Sequence, residues 1–435
     1  MTAPSPPRRM IPFDGPVDAV VAVPGSKSFT NRALVCAALA RGGSTLVGVL
    51  DSDDTEAMFG CLDALGIAVE RDPVLHRAVV HGAGGGSGQP AATLDVRQSG
   101  TTARFVTPMA ALGHGRFTVD GHPQMRARPM DDLLRALLKL GVDVTSSGGG
   151  RLPLRIEADG VQGGMVTVSG TASSQFLSGL LLSAPCYERG LLVEVEGDLV
   201  SKPYVDMTIA TMRAFGAVIE CRGHASFRVE PTGYAATDYR IEPDASAASY
   251  FFAAAAVTGG HVRVEGLGFD AIQGDIHFVD ALEAMGCTVE RGTDAISVQG
   301  PAQLRGIDVD MGHCSDTAQT LAAVAVFAES PTTVTGVGFI RGKETDRIAA
   351  VVRELTRCGI LAIERADGFV VHPGTPSPAA VETYDDHRMA MSFALLGLRV
   401  PGIEIVNPGC VAKTFPLYFE VLETLRPADP AGAHR

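Results

Sequence analysis

Six stretches of the chain share one pattern: small polar residues, then an apolar segment at helical spacing, then a turn followed by alternating Val and Ile. The polar openings are Ser26-Lys27-Ser28, Ser99-Gly100-Thr101, Ser173-Ser174-Gln175, Asp244-Ala245-Ser246, Ser315-Asp316-Thr317 and Asp385-Asp386-His387. With Ser28, Thr101, Ser174, Ser246, Asp316 and Asp386 as markers, the successive spacings are 73, 73, 72, 70 and 70 residues. Solenoid repeats run to roughly 20–50 residues, so a unit of this length is expected to be a small folded module.

A second pattern falls about halfway between these openings. Apolar residues at helical spacing reach a glycine and then alternate again at Gly66, Gly141, Gly216, Gly286 and Gly359. This predicts a helix closed by a left-handed cap and followed by a strand. Paired strands come next, as at 217–220 with 226–230 and 287–290 with 295–299. Each module therefore reads β-α-β-α-β-β. A sixth second helix is expected at 417–425, and the strands missing after it are expected from the segment 17–23.

A chain of 435 residues exceeds the size at which one core stops growing. Six modules divide into three plus three, which predicts one domain at 25–241 and another from 1–24 plus 242–435, closed by both chain ends. The composition, 46% hydrophobic and 20% charged, is that of an ordinary globular protein. A net charge of −13 with no long basic run argues against a nucleic-acid partner. The start lacks an apolar signal core, and the apolar runs fall short of a membrane span, so no membrane partner and a cytoplasmic location are expected. The eight cysteines form no Cys-x-x-Cys pair, and most lie in apolar helical stretches, as buried thiols do. The segment 82–90, rich in glycine, is read as a surface turn because it opens no helix.

Helix starts carry unpaired N–H groups and partial positive charge, which attract anions, although Ser, Thr and Asp there also serve simply as caps. Capping does not call for the Lys27, Arg32, Arg104, Arg126, Arg128, Lys202, Lys343, Arg347, Arg388 and Lys413 gathered around these starts. Arg and Lys opposite hydroxyls suit phosphate and carboxylate ligands, so small polyanionic substrates are the expectation. Pro24-Gly25-Ser26-Lys27-Ser28 lacks the first glycine of a P-loop, which disfavours NTP hydrolysis. Lys343-Glu344-Thr345-Asp346-Arg347 combines anion grip with a proton-transfer group, or else is an exposed salt-bridged helix start. Asp385-Asp386-His387-Arg388 has no second His at ligand spacing, so a cap followed by an anion-binding Arg fits better than a metal site.

Together these segments closely resemble the EPSP synthase family of enolpyruvyl transferases. The resemblance is carried, in order along nearly the whole chain, by Lys27-Ser28-Phe29-Thr30-Asn31-Arg32, Ser99-Gly100-Thr101-Thr102-Ala103-Arg104, Arg128-Pro129, Ser173-Ser174-Gln175 and Ser201-Lys202-Pro203-Tyr204. It continues through Lys343-Glu344-Thr345-Asp346-Arg347, Asp386-His387-Arg388-Met389-Ala390-Met391 and Ala412-Lys413-Thr414-Phe415-Pro416. It implies an α/β fold of two inside-out α/β barrel domains, each of three β-α-β-α-β-β units about a pseudo-threefold axis. The implied reaction is transfer of the enolpyruvyl group of phosphoenolpyruvate to the 5-hydroxyl of shikimate 3-phosphate through a tetrahedral intermediate, by a monomer with no cofactor or metal.

By motif position, the resemblance implies that Lys27, Ser28, Arg32, Ser173, Ser174, Gln175, Ser201, Tyr204, Asp316 and Lys343 serve shikimate 3-phosphate. Lys27, Gly100, Arg128, Gln175, Arg347, Arg388 and Lys413 would hold phosphoenolpyruvate. Asp316 would orient or deprotonate the 5-hydroxyl, while Glu344 and Lys27 would handle the methylene and leaving-group protons. Basic residues on both halves suggest domains that close around the two anions. The chain departs from many members at Gln98-Ser99 and at Phe339, where a polar residue is usual, which leaves a different or specialised acceptor open. Retained Gly100 implies inhibition by glyphosate in competition with phosphoenolpyruvate. The sister reaction on UDP-N-acetylglucosamine and an inactive anion-binding homologue are the competing readings. The intact Ser173-Ser174-Gln175 speaks against the first, and retention of Lys27, Asp316, Glu344 and Lys413 against the second.

Overall fold

A computed structural model describes residues 5–171 and 173–426. The chain divides into two compact units, Gly25–Glu242 and Met1–Pro24 with Pro243–Arg435. The polypeptide passes between them at Pro24 and Pro243, and each unit has its own hydrophobic core.

The module recurs with one sheet topology. In the second module, Ala91–Asp95 pairs in parallel with His114–Asp120, which pairs antiparallel with Leu154–Asp159, itself antiparallel to Asp143–Ser146. The register Leu94↔Val119 and Phe117↔Ile156 puts alternate apolar side chains on one buried face while Arg116, Thr118 and Glu157 face outward. The third module repeats this with Gly164–Ser169, Leu191–Glu196, Ser226–Val229 and Ile219–Arg222.

Two kinds of helix fill each module. The first helix of the fourth module, Ala245–Thr258, is buried on every face from Ala245 to Val257, and Lys27–Leu39 is buried from Phe29 onward. Helices apolar all round belong at the centre of a core. Accordingly Lys27–Leu39, Gly100–Ala110 and Ser174–Ser183 pack on one another, and Ala318–Ala325 packs against both Ala245–Thr258 and His387–Ala394. In that second trio the hydroxyls of Ser249, Thr320 and Ser392, one from each helix, form a hydrogen-bonded thread. The second helices are amphipathic: Asp131–Lys139 buries Leu133, Leu134, Ala136 and Leu137 under a charged face. Their closing glycines all adopt positive φ, from 78° at Gly66 to 104° at Gly286, as the left-handed cap requires. The sixth second helix is Tyr418–Glu423.

The segment expected to complete the sixth module does something else. Asp18–Ala22 pairs in parallel with His261–Glu265, giving the fourth module the strand that it lacks because the chain has only just entered that unit at Pro243. The sixth module is completed by Arg8–Arg9, antiparallel to Ile403–Ile405. In the other unit Tyr234–Ala235 and Tyr239–Arg240 pair with Ala40–Val47, supplying the first module's missing strand. Each open position is filled because an unpaired strand edge leaves backbone donors and acceptors unsatisfied.

Candidate active site

The marker residues are mostly not the caps. Ser26 accepts from Phe29 N, Ser99 from Thr102 N, Ser173 from Gln175 N and Asp244 from Ala247 N. Ser28, Thr101, Ser174 and Ser246 follow one or two residues later, inside the first turn, with their side chains released from capping. Asp386 does cap its helix, accepting from Arg388 N, whereas Asp316 lies in the 3-10 turn Ser315–Thr317. The split assigns helix stability to one residue and leaves its neighbour for chemistry.

In the unit Gly25–Glu242, cations sit at these starts largely on neutral acceptors. Arg32, buried, donates from Nε to Thr208 Oγ1 and from its two Nη atoms to the carbonyls of Ser28 and Tyr204, each at 2.8 Å. Burial lowers its pKa to about 10. Arg104 donates to the carbonyls of Gly100 (3.2 Å) and Pro129 (2.8 Å). Carbonyls fix the direction of a guanidinium without cancelling its charge, which suits a group meant to attract an anion. Lys27 forms an ion pair with the buried Asp54 (3.3 Å), whose backbone carbonyl accepts from Thr102. Gln175 reaches Thr101 Oγ1 (3.5 Å). Gly100 opens its helix so tightly against Arg128 and Arg104 that an added Cβ would lie 2.5 Å from Arg128 Nη1 and 2.7 Å from Arg104 Nη1. Ser201, at φ 54°, turns the chain into Lys202–Ala214, and Tyr204 N closes onto its carbonyl. Lys27, Gly100, Thr101, Arg104, Arg128 and Gln175 thus form one connected region, with Ser28, Arg32 and Tyr204 joined through the guanidinium of Arg32.

The other unit holds its cations on carboxylates. Arg347, 1% exposed, donates from Nε to Asp386 (2.8 Å), from Nη1 to Asp316 (3.0 Å) and from Nη2 to Glu344 (2.8 Å). Burial works against its charge, yet Asp386, Glu344 and Asp316 together hold its pKa above the ordinary arginine value. Arg388 Nη2 donates to Asp316 (2.6 Å) and to Ser246 Oγ (3.4 Å), and Lys413 Nζ lies 4.0 Å from Glu344. Asp346 caps the helix Arg347–Arg357 and binds Arg341, so the Lys343–Arg347 segment is not an exposed salt-bridged start. Lys343, half-buried, follows the 3-10 turn Gly338–Gly342 directly. Phe339, in that turn, packs against the core of its own unit.

Two carboxylates carry weight here that sequence reasoning passed over: Asp54, on Lys27, and Asp275, to which Ser246 donates its hydroxyl proton. Both open second helices, Asp54 twelve residues before Gly66 and Asp275 eleven before Gly286. The repeat therefore held the signal, had the second-helix starts been aligned as the first-helix starts were.

In the unit completed by both chain ends, two carboxylates, Asp316 and Glu344, are thus held among three cations. A model of the EPSP synthase (3-phosphoshikimate 1-carboxyvinyltransferase) family matches residues 13–422. The 3-phosphoshikimate 1-carboxyvinyltransferase of Nostoc punctiforme is 49% identical over 406 residues, covering 93% of this chain and 95% of the relative. That of Methanoculleus marisnigri is 44% identical over 413 residues, covering 94% and 97%. Among solved structures, EPSP synthase from Acinetobacter baumannii superposes with a TM-score of 0.82 at 26% identity, over 96% of this chain and 98% of that one. The enolpyruvyl transferase NikO from Streptomyces tendae, at 19% identity and a TM-score of 0.74 over 97% and 98%, shares the fold. With the family model spanning almost every module and near-half identity over the same length, this chain belongs to the EPSP synthase family.

Proposed function

We propose that this chain transfers the enolpyruvyl group of phosphoenolpyruvate to the 5-hydroxyl of shikimate 3-phosphate, giving 5-enolpyruvylshikimate 3-phosphate and inorganic phosphate. The observation that carries this reading is the cluster in which Asp316 and Glu344 are held by Arg347, Arg388 and Lys413. Addition requires a proton to leave the 5-hydroxyl as its oxygen bonds to C2, and a proton to arrive at the methylene C3. Elimination then takes a proton from that methyl group as the C2–O bond to phosphate breaks. Asp316 is assigned to the hydroxyl, and Glu344 with Lys27 to the methylene and leaving-group protons. Lys27, Gly100, Arg128, Gln175, Arg347, Arg388 and Lys413 are assigned to phosphoenolpyruvate. The positive charge of Lys27, Arg128, Arg347, Arg388 and Lys413 stabilises the departing phosphate.

For shikimate 3-phosphate the assignment is Ser28, Arg32, Ser173, Ser174, Gln175, Ser201, Tyr204 and Lys343. Arg32 supports this by its anchoring: it is buried on a hydroxyl and two carbonyls, so its charge is oriented and available to a carboxylate or phosphate. Phe339 supports the ordinary acceptor by packing into its own core. The test is phosphate release from phosphoenolpyruvate with shikimate 3-phosphate, beside UDP-N-acetylglucosamine and with Asp316→Ala as control. Release with the first acceptor only, lost in the variant, is the expected result. Release with the second would move the chain to the sister reaction, and release with neither would make it a binding protein.

A further inference from the structure

Asp275 is a buried carboxylate for which the reaction above has no use. It lies in the 3-10 turn Gly274–His277, 4% exposed, where its Oδ2 accepts the hydroxyl of Ser246. Burial, with Asp316 as the next contributor, raises its pKa to about 6, while Arg388 and Ser246 act in the opposite sense. The titratable groups facing it are Asp316 and Cys314 around one 3-10 turn, Arg388 from the helix His387–Ala394, and Asp244 from the cap of Ala245–Thr258.

A serine hydroxyl has a single proton. With that proton directed at Asp275, Ser246 Oγ turns lone pairs toward Arg388, whose Nη2 stands 3.4 Å away and 2.6 Å from Asp316. The polarity of the relay is thereby fixed: the guanidinium donates to the hydroxyl and the hydroxyl to the carboxylate. Arg388 is drawn toward Asp316 directly and toward Asp275 through Ser246. The 2.6 Å contact with Asp316 fixes the distance of the guanidinium but not its orientation, and without the second pull the head would pivot about that contact. Two requirements of the chemistry would then suffer together, namely the orientation of Asp316 toward the 5-hydroxyl and of the Arg388 head toward an incoming anion.

We propose that Asp275 is a positioning residue for Arg388, acting through Ser246 to hold the guanidinium between two carboxylates in the orientation that substrate binding needs. This rests on the enolpyruvyl-transfer reading. It also gives a role to Ser246, to which no ligand is assigned: its side chain neither caps nor binds substrate but transmits.

The test compares wild type, Ser246→Ala, Asp275→Asn and the double variant, varying each substrate in turn from pH 5 to 9, with phosphoenolpyruvate binding measured separately by calorimetry. Turnover by the wild type judges the reaction assigned above, and variant-to-wild-type ratios in binding judge the relay whether or not turnover is seen. Ser246→Ala is expected to weaken phosphoenolpyruvate ~10-fold or more, the scale of one hydrogen bond to a charged group, with shikimate 3-phosphate within ~3-fold. Asp275→Asn keeps an acceptor for Ser246 and should bind phosphoenolpyruvate within ~3-fold at pH 8. Asp275 is charged above about pH 6, so wild-type affinity should fall as pH drops through that value, by no more than the ~3-fold allowed to Asp275→Asn, because the protonated carboxyl also keeps an acceptor. In Asp275→Asn that component should vanish, leaving the ligand's own ionisation, which is common to both proteins. The double variant should be no worse than Ser246→Ala, as for two residues on one path. Affinity for phosphoenolpyruvate within twofold in Ser246→Ala, equal losses for both substrates, or a double variant weaker than Ser246→Ala by more than ~3-fold would overturn the proposal. If Asp275→Asn fails to fold, Ser246→Ala decides alone.

Discussion

Replacing Gly100 by alanine crowds two guanidinium groups, Arg128 and Arg104. Gly100 opens the helix Gly100–Ala110 with ordinary negative φ, so the backbone accepts Ala, which is also the better helix former by ~1 kcal/mol. The conflict lies in space: the new Cβ would be 2.5 Å from Arg128 Nη1 and 2.7 Å from both Arg128 Cζ and Arg104 Nη1. Arg104 is buried and tied to the carbonyls of Gly100 and Pro129, so it resists displacement. Arg128, half-buried, is less enclosed than the buried Arg104, and it is the group that yields. Reaching van der Waals contact requires its head to retreat by roughly 1 Å, enough to break or misalign a charge-assisted hydrogen bond of ~1.5–3 kcal/mol. Each 1.4 kcal/mol is tenfold, so KM for phosphoenolpyruvate should rise ~10- to 100-fold. KM for shikimate 3-phosphate should change less than ~3-fold, because Arg32 and its partners Thr208, Ser28 and Tyr204 do not touch the new methyl. Glyphosate, competing for the same ground, should lose at least as much affinity. The assay is initial-rate phosphate release with each substrate varied against saturation of the other, with and without glyphosate. A folded variant whose KM for phosphoenolpyruvate stays within twofold of wild type would refute the reasoning.

Asp386→Ala removes a cap and one of the carboxylates on buried Arg347, and should lower unfolding free energy by ~3–5 kcal/mol in urea titration, whereas Asp386→Asn, which still caps, should lose less. Ser26→Ala should cost ~1 kcal/mol of stability with substrate KM values unchanged, while Ser28→Ala should leave the denaturation midpoint in place and raise KM for shikimate 3-phosphate. Equal behaviour of the two serines would undo the separation of cap from binding residue. Removing residues 1–10 deletes the strand Arg8–Arg9 and the buried Met10, which should lower the melting temperature and raise hydrogen exchange at Ile403–Ile405 above that of the intact protein. Wild-type enzyme should lose activity to glyphosate competitively with phosphoenolpyruvate, and full activity at millimolar glyphosate would contradict the place given to Gly100.

The sequence by itself determined the repeat, and with it the two kinds of helix. Burial periodicity is local: a first helix apolar on every side can only be interior, and a glycine after an amphipathic run needs the left-handed conformation seen at Gly66, Gly141, Gly216, Gly286 and Gly359. The identity of the charged residues was equally legible, since Lys27, Arg32, Arg347, Arg388 and Lys413 stand beside hydroxyls and caps where a structural role alone does not ask for them. Tertiary structure decided pairing. Whether 17–23 completes the fourth or the sixth module depends on which strand edge is left open once the chain has passed from one unit to the other, and no local pattern encodes that. It also decided which member of each polar opening caps: Ser26 or Ser28, Asp244 or Ser246 differ only in the turn of the backbone. Most of all it decided the partners of the charges. Arg347 meets Asp316 and Asp386, 31 and 39 residues away, and Ser246 meets Asp275 across 29. Ion pairs form between groups that packing brings within a few ångströms, and sequence separation has no bearing on that distance.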